Sequence, residues 1–201
     1  MKNIIFALTA LLFAATPAMA ESARFDIEKP HTQVMFSVEH LGFSHSYGKF
    51  TDFDGHINFD QAAPEKSSVE VTIKTASINM DDQKWDDHLK AADLFNVEKY
   101  PTMTFKSTKV EKTGEKNAKV TGDLTLLGVT KPVVLDVVFN KRGEHPYTKN
   151  DHIGFSAKGA LKRSDFGMSY GIPGVGDDVA LIIEVEGLGQ PKTATPAAGN
   201  P

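Results

Sequence analysis

The sequence predicts an all-β protein, an antiparallel β-barrel of about eight strands with one inserted helix. Apolar and polar residues alternate in segment after segment, short turn signals separate neighbouring segments, and a single stretch has helical spacing instead. Alternation with a period of two is the pattern of strands that bury one face. A closed barrel leaves no exposed sheet edge, and the helix would then cap or flank one end of it.

The alternating positions define the predicted strands. In the first of them Val34, Phe36 and Val38 share one phase, with Met35 and Ser37 between them. The other strands are the segment from Tyr47 to Phe59 and the following in-phase sets: Val69, Val71 and Ile73; Met103, Phe105 and Ser107; Val120, Leu124 and Leu126; Val133, Leu135, Val137 and Phe139; Ile153, Phe155, Ala157 and Leu161; Val179, Leu181, Ile183 and Val185.

The connections between the strands contain turn residues and one helical segment. Residues 112–117 (KTGEKN) and 127–132 (LGVTKP) are typical of short hairpin links, so we expect neighbouring strands to run antiparallel. From Asp81 to Phe95 the strand rhythm stops, and aspartates crowd the start of the segment, where they complement a helix N-terminus. We predict a helix over this segment, with Trp85 and Leu89 one turn apart and both facing the barrel.

The two ends of the chain are not expected to belong to the barrel. Lys2, an apolar run from Ile4 to Thr16 and the Ala-x-Ala pattern before Glu21 predict a signal peptide over residues 1–20. A membrane anchor is the alternative, but the run is shorter than the roughly 20 apolar residues of a spanning helix. We therefore predict an exported domain over residues 21–189, followed by a disordered tail over residues 190–201 that is rich in Pro, Ala, Thr and Gly.

The composition excludes several classes of function. The formal net charge is −4, and removal of the leader would make the chain more acidic, so no basic patch remains for nucleic acid or an anionic membrane. The chain has no cysteine, which excludes thiol redox chemistry, thiolate metal sites and a lipoprotein anchor. A domain of this length needs only one ordinary hydrophobic core.

Four of the histidines lie close together in the sequence: His31, His40, His45 and His56. On an alternating strand His31 and His40 would point to opposite faces, and His45 lies in a turn rich in Gly and Ser. No pair of histidines has the spacing of a helical metal site. We therefore predict no metal site.

The patterns of catalytic sites are missing as well. Residues 154–159 (GFSAKG) do not form a Gly-x-Ser-x-Gly elbow, and no Gly-rich phosphate loop precedes a helix. Arg163 and Asp165 are predicted to form a local ion pair. We predict no catalytic residues and no cofactor.

The interior of the barrel is the remaining candidate site. A barrel of about eight strands is just wide enough to be filled by side chains or to hold one small ligand. The inward positions are nearly all aliphatic or aromatic, and His40 shares the phase of Val34, Phe36 and Val38. A hollow barrel would accept an apolar molecule with at most one polar end. The residue pattern leaves a hollow and a filled barrel equally open.

Four blocks of sequence, in order, carry a family resemblance. They are His31–Ser44 (HTQVMFSVEHLGFS) with Gly48–Phe50 (GKF); Asp87–Leu89 (DHL) with Asp93–Phe95 (DLF) and Lys99–Phe105 (KYPTMTF); Gly122–Leu126 (GDLTL) with Gly128–Val133 (GVTKPV); and Arg163–Met168 (RSDFGM) with Gly174–Asp177 (GVGD). They resemble the YceI-like family, the bacterial polyisoprenoid-binding proteins with a lipocalin-like barrel. The resemblance covers roughly residues 24–187.

This resemblance implies an extended lipocalin-like barrel in the periplasm that holds a long isoprenoid lipid, such as a polyprenyl or quinone tail, in a family whose members often form homodimers. It implies no established enzymatic activity. The lipid would contact inward positions and two loop aromatics, Phe43 and Phe166. The predicted ligand contacts are Phe36, Val38, His40, Phe43, Val71, Ile73, Trp85, Leu89, Phe105, Leu124, Leu126, Val133, Leu135, Val137, Phe155, Phe166, Met168 and Ile183.

Two alternatives remain beside a lipid carrier. One is an envelope enzyme or redox accessory that acts on such a lipid, with His40, His88 or the Arg163–Asp165 pair near the head group. The other is a stress-related structural protein whose barrel is filled by its own side chains.

Overall fold

The structure is a computed structural model that describes residues 22–189. The predicted signal peptide and tail lie outside these residues. The strands are β1 (Ala23–Ile27), β2 (Gln33–His40), β3 (Ser44–Phe50), β4 (Phe53–Phe59), β5 (Ser68–Lys74), β6 (Ile78–Asn79), β7 (Thr102–Lys112), β8 (Asn117–Leu126), β9 (Val129–Glu144), β10 (Asp151–Lys162) and β11 (Val175–Gly189), and the helix α1 is Gln83–Lys90.

The strands form one antiparallel sheet in the order β1-β4-β5-β7-β8-β9-β10-β11-β2-β3-β6, and β1 also pairs with β11. That last pairing closes a ring of the eight strands from β1 to β11 in this order. The β2–β3 hairpin extends the wall, because Phe25 of β1 pairs with Gly189 and Val34 of β2 pairs with Ile183 further along β11. The closed antiparallel barrel with a single α-helix confirms the predicted fold class.

Strand β9 shows how the alternation builds the wall. Val133 and Leu135 are buried and face inward, whereas their neighbours Val134 and Val138 are exposed on the outside. A shift of one residue would exchange the two faces, so the hydrophobic pattern fixes the register of this strand.

The β8–β9 hairpin turns within two residues. Leu127 (φ 52°) and Gly128 (φ 74°) both have positive φ, as the tightest hairpin turns require. The predicted link over residues 127–132 is in the right place but too long, because Pro132 already lies in β9 opposite Asp123.

Helix α1 is shorter than the predicted segment from Asp81 to Phe95. It begins after Asp82, whose carboxylate accepts hydrogen bonds from the backbone N–H groups of Lys84 (3.0 Å) and Trp85 (3.1 Å). It ends at Lys90 because the chain then turns to bury Leu94 and Phe95 in the barrel core. None of the helices within residues 22–189 is long and apolar enough to cross a membrane.

The two ends of the barrel differ, and we name them by their structure. The helix end contains the β2–β3 turn, α1 and the loop over residues 163–174, and the hairpin end contains the loops over residues 60–67, 113–116 and 145–150. A large cluster of buried side chains that includes Phe50, Leu94 and Phe95 lies toward the helix end, and a smaller cluster around Phe25 lies toward the hairpin end.

Candidate functional site

A continuous cavity of about 800 Å³ extends through the barrel. It reaches from the helix end to the hairpin end. Trp85 and Tyr170 line it at the helix end, and Lys112 and Lys116 line it at the hairpin end. Between these ends the wall consists mainly of aliphatic and aromatic side chains. Sites for small molecules typically measure roughly 300–1,000 Å³, so the cavity has the size of a binding site.

The cavity is too large to be a packing defect. Close-packed protein interiors contain few voids larger than a water molecule. Water is a poor occupant for the middle section, because hydrocarbon walls offer it few hydrogen bonds. The barrel is therefore hollow and shaped for an apolar occupant, and the filled-barrel alternative loses its structural basis.

Most of the predicted contact residues lie together in the cavity wall. They are Phe36, Val38, His40, Val71, Ile73, Trp85, Leu89, Phe105, Leu124, Leu126, Val133, Leu135, Val137, Phe155 and Ile183. For those on strands, the common position follows from the strand period, which puts every second residue inside, whereas Trp85 and Leu89 come from α1. Contact with a ligand stays a prediction for all of them.

Phe43, Phe166 and Met168 lie outside the cavity wall. Phe43 is 88 % exposed at the tip of the β2–β3 hairpin, beyond a turn in which Gly42 has a φ of 74°. Phe166 and Met168 are buried in the larger core cluster, because a short 3-10 turn over Arg163–Phe166 directs them into the packing behind the wall. Loop aromatics do not follow the strand period, so their direction could not be predicted from it.

The sequence predicts that Trp85 faces the barrel, as Leu89 does. The side chain lies in the cavity wall but remains 46 % exposed, with its ring centroid 6.3 Å from that of His40. The reason is that α1 has only eight residues and flanks the opening instead of crossing it. Leu89, one turn later, packs against the core as predicted.

The opening at the helix end is surrounded by polar side chains, and we call it the helix mouth: His40, Ser46, Trp85, His88 and Tyr170. Two ring contacts join them across the opening, His40 to Trp85 and His88 to Tyr170, the latter with centroids 5.3 Å apart. Within residues 22–189 none of these five side chains hydrogen-bonds to the protein. A polar group that enters the helix mouth therefore meets unengaged donors and acceptors.

Arg163 holds the loop that forms one side of the helix mouth. Its buried guanidinium donates four hydrogen bonds of 2.8–3.3 Å to backbone oxygens within residues 168–176. Burial lowers the pKa of Arg163 below its ordinary value, because desolvation disfavours the charged form. The predicted ion pair with Asp165 is wrong, since the guanidinium turns inward to the backbone. These partners are backbone atoms, which no side-chain pattern in the sequence can indicate.

A second contact fixes the same loop from the outside. The Asp177 carboxylate accepts hydrogen bonds from the backbone N–H (2.9 Å) and the hydroxyl (2.8 Å) of Ser164. These two bonds hold the pKa of Asp177 below its ordinary value, the backbone bond being the larger cause.

The hairpin end of the cavity has a different lining. Gln61, Lys112, Glu115, Lys116 and Asn117 border it, and all of them are exposed. Deeper in the barrel the rings of Phe59, Phe139 and Phe155 contact one another with centroids 5.2–5.5 Å apart. The charged residues were not predicted as site residues, because they belong to loops that carry no period.

One group within residues 22–189 has donor atoms close enough for a metal ion: Glu28, His31 and Glu186. Hydrogen bonds between Glu28 and His31 already explain why these two side chains lie close together. The Glu28 carboxylate accepts the backbone N–H of His31 at 2.9 Å and lies 3.0 Å from its Nδ1, which caps the 3-10 turn over Lys29–His31. None of the three residues lies in the cavity wall.

Comparison with known proteins gives the family. The model of the YceI-like domain matches residues 25–187. Protein YceI of Escherichia coli is 42 % identical over 192 residues, which cover 94 % of this chain and 100 % of the relative. The crystal structure of a Campylobacter jejuni YCEI protein is 40 % identical with a TM-score of 0.69, and the match covers 76 % of this chain and 90 % of that chain.

A more distant structure has the same fold. It is a polyisoprenoid binding domain from Saccharophagus degradans, implicated in plant cell wall breakdown, with 13 % identity and a TM-score of 0.65. The match covers 84 % of this chain and 99 % of that chain. The matched family model and the close relatives span nearly the whole described barrel, and the chain therefore belongs to the family of YceI-like domains.

Proposed function

We propose that the protein binds a long isoprenoid lipid, such as a polyprenyl or quinone tail, in its barrel and carries it across the periplasm. The observation that carries this proposal is the apolar cavity of about 800 Å³. Each CH₂ equivalent moved from water into such a wall contributes about 0.8 kcal/mol, so several prenyl units suffice for binding without polar recognition. The YceI-like fold, shared with a polyisoprenoid binding domain, supports a lipid-binding role.

The lipid enters this cavity with its polar head group at the helix mouth. His40, Ser46, His88 and Tyr170 are unengaged there and can hydrogen-bond to a hydroxyl or a quinone oxygen. Among the described residues, Arg163 is the only cationic side chain in the cavity wall at this end, and its hydrogen bonds go to backbone oxygens of residues 168–176. This arrangement favours an uncharged head group.

The site is that of a binding protein. A general base or an activated nucleophile needs a partner that orients it, usually a carboxylate or a second base. Within residues 22–189 neither His40 nor His88 is hydrogen-bonded to a carboxylate. This favours a carrier of an unmodified lipid over the envelope enzyme.

The proposal is tested by extraction of the protein, purified from the periplasm without detergent, followed by mass spectrometry of the organic phase. The proposal predicts an unmodified prenyl lipid in stoichiometric amount and an intact chain that begins at Glu21. A chemically altered lipid would support the enzyme, and retention of residues 1–20 in the soluble fraction would contradict the exported carrier.

Two variants of adjacent residues make the test specific for the cavity. Leu135→Trp places a large ring inside the cavity, whereas Val134→Trp places the same ring on the outer face of the same strand. We expect lipid recovery to fall sharply for Leu135→Trp only. Because the new ring enters space that the ligand otherwise takes, the lipid-free protein should lose less than the 1–3 kcal/mol typical of overpacking. Equal lipid recovery from both variants would place the lipid elsewhere.

A further inference from the structure

Five exposed apolar side chains belong to the segments around the helix mouth, and we call them the rim patch: Leu41, Phe43, Trp85, Tyr170 and Ile172. Phe43 is 88 % exposed, and the other four are between 37 % and 55 % exposed. They come from three separate segments of the chain, the β2–β3 turn, α1 and the loop over residues 163–174.

The three segments are joined, so the rim patch is one surface. The backbone N–H of Leu41 donates to the Gly174 oxygen at 2.7 Å, which links the hairpin tip to the loop. The rings of His88 and Tyr170 meet at 5.3 Å, which links the helix to the same loop. Contiguous exposed apolar surface of this kind marks interaction sites on proteins.

The rim patch is also continuous with the cavity. Trp85 and Tyr170 are about half exposed to solvent and at the same time lie in the cavity wall. The hairpin end has no such continuity, because the exposed residues in the wall there are polar or charged, such as Lys112 and Glu115. Apolar surface therefore extends without a break from the interior to the outside at the helix mouth only, as far as residues 22–189 show.

We propose that the rim patch docks on the surface of a lipid bilayer, so that a lipid passes between membrane and cavity without crossing water. This rests on the proposed lipid-carrying function. Trp and Tyr rings are favoured at the level of the lipid head groups, and Phe43 is placed to enter the acyl region beyond them. Docking removes the step that would otherwise limit transfer, the exposure of a long apolar chain to water.

The charges near the rim patch determine which bilayer it fits. Asp81, Asp82 and Asp87 lie exposed around the helix that carries Trp85, and Lys49 is paired with Asp81. Lys84 is a single exposed cation on the same helix. Anionic membrane surfaces are bound through clusters of Lys and Arg, and one lysine beside three aspartates is not such a cluster. The bilayer is therefore one with an uncharged, zwitterionic surface.

The test is the rate at which the protein delivers a fluorescent prenyl alcohol to vesicles of phosphatidylcholine. If docking precedes transfer, the rate rises in proportion to vesicle concentration. If the lipid first dissociates into water, the rate is independent of vesicle concentration. Addition of anionic phosphatidylglycerol to the vesicles at low salt should slow the docked transfer.

Two equally exposed aromatic residues provide the matched variants. Phe43→Ser removes a rim residue that lies outside the cavity wall, and Tyr147→Ser removes a residue that is also 88 % exposed but lies at the hairpin end. We expect Phe43→Ser to lower the transfer rate at least tenfold with unchanged lipid retention, and Tyr147→Ser to leave both unchanged. Flotation of the lipid-free protein with the vesicles should fall in parallel for Phe43→Ser.

The possible failures are distinct. If the wild-type protein takes up no prenyl alcohol, the lipid-carrying function is refuted. Docking as a step in lipid transfer is then refuted as well, because it rests on that function. Uptake followed by a rate that ignores vesicle concentration, or by equal rates for the wild type and Phe43→Ser, refutes docking alone. Sedimentation that shows a wild-type dimer, a monomeric Phe43→Ser variant and no vesicle flotation would assign the rim patch to a second copy of the chain and overturn the proposal.

Discussion

The two ends of the barrel consist of the same alternating strands but finish in different ways. At the hairpin end, the loops over residues 60–67, 113–116 and 145–150 join neighbouring strands, and the three rings of Phe59, Phe139 and Phe155 pack against one another inside. At the helix end, α1 and the loop over residues 163–174 interrupt the strand pattern, and aromatic rings stand half exposed around the opening. Strand pairing alone forms the barrel wall. The aromatic and polar side chains around the opening come largely from segments that are not strands.

Each end has one arginine that shows the same contrast. Arg142 at the hairpin end pairs with the Asp151 carboxylate at 2.8 Å and lies over the Phe25 ring, 5.0 Å from its centroid. Arg163 at the helix end donates its hydrogen bonds to backbone oxygens only, two in the loop over residues 163–174 and two at the start of β11. The first connects regular strands that pair anyway, while the second determines the shape of a loop that has little other regular structure.

The largest effect is expected from truncation of an aromatic ring at each end. Phe59→Ala removes a ring that is only 6 % exposed, so it should cost about 3–5 kcal/mol. Trp85→Ala removes a ring that is 46 % exposed and should cost about half as much. Urea unfolding of both lipid-free variants measures the difference. Equal losses would show that the helix mouth is packed as tightly as the hairpin end.

Replacement of each arginine by methionine should give the next largest effect. Arg163→Met leaves several buried carbonyl oxygens without a donor and should cost about 3 kcal/mol. Arg142→Met should cost about 1–2 kcal/mol, because Asp151 lies closer to solvent and keeps access to water. Arg163→Lys should recover little of the loss, since one ammonium group cannot reach all four acceptors. Full recovery by lysine would mean that the charge matters and the fork geometry does not.

A smaller effect is expected on the affinity for a prenyl alcohol, which should show at which end of the barrel the head group binds. His40→Leu removes one unengaged polar group from the helix mouth, and we expect about 1 kcal/mol weaker binding of a prenyl alcohol, or roughly fivefold. Binding of a prenyl hydrocarbon without the hydroxyl should not weaken. Asn117→Leu at the hairpin end is the matched control and should change neither. The reverse result, read by fluorescence titration, would place the head group at the hairpin end.

The parts of the molecule that the sequence predicts well are those governed by a local period. Leu124, Leu126, Val133 and Leu135 occupy the interior because each strand alternates, and no distant contact is needed to decide their direction. His40 could be placed in the cavity wall for the same reason, although it is polar.

The parts that the sequence does not predict depend on distant contacts. The end of α1 is set by the burial of Leu94 and Phe95 in the core, and no local signal at Lys90 marks it. The partners of Arg163 are backbone oxygens up to thirteen residues away, so its neighbour Asp165 was a misleading candidate. Phe43 and Phe166 have similar loop surroundings in the sequence, yet one is 88 % and the other 2 % exposed.

The smallest expected effect concerns the acid sensitivity of the helix end. The Ser164 hydrogen bonds depress the pKa of Asp177, so its carboxylate stabilises the fold above its unfolded-state pKa of about 3.9. This contribution is lost as the pH falls through the still lower pKa of the folded state. Asp177→Asn should therefore melt slightly below the wild type at pH 7, and the difference should disappear under strongly acidic conditions.

The Asp177 carboxylate should stabilise only the loop next to it at the helix end and should not affect the hairpin end. Asp177 ties Ser164 to the start of β11, and the loop over residues 168–174 lies between these two anchors. Amide exchange in that loop should accelerate in Asp177→Asn at pH 7, while exchange in the loop over residues 145–150 at the hairpin end should not change.

Ser164→Ala, which removes the hydroxyl but keeps the backbone N–H, should raise the pKa of Asp177 only part of the way to its ordinary value, because the backbone bond is the larger cause. An NMR titration of the Asp177 carboxyl measures this directly, and a pKa unchanged by Ser164→Ala would show that the hydroxyl does not help to hold the loop over residues 163–174.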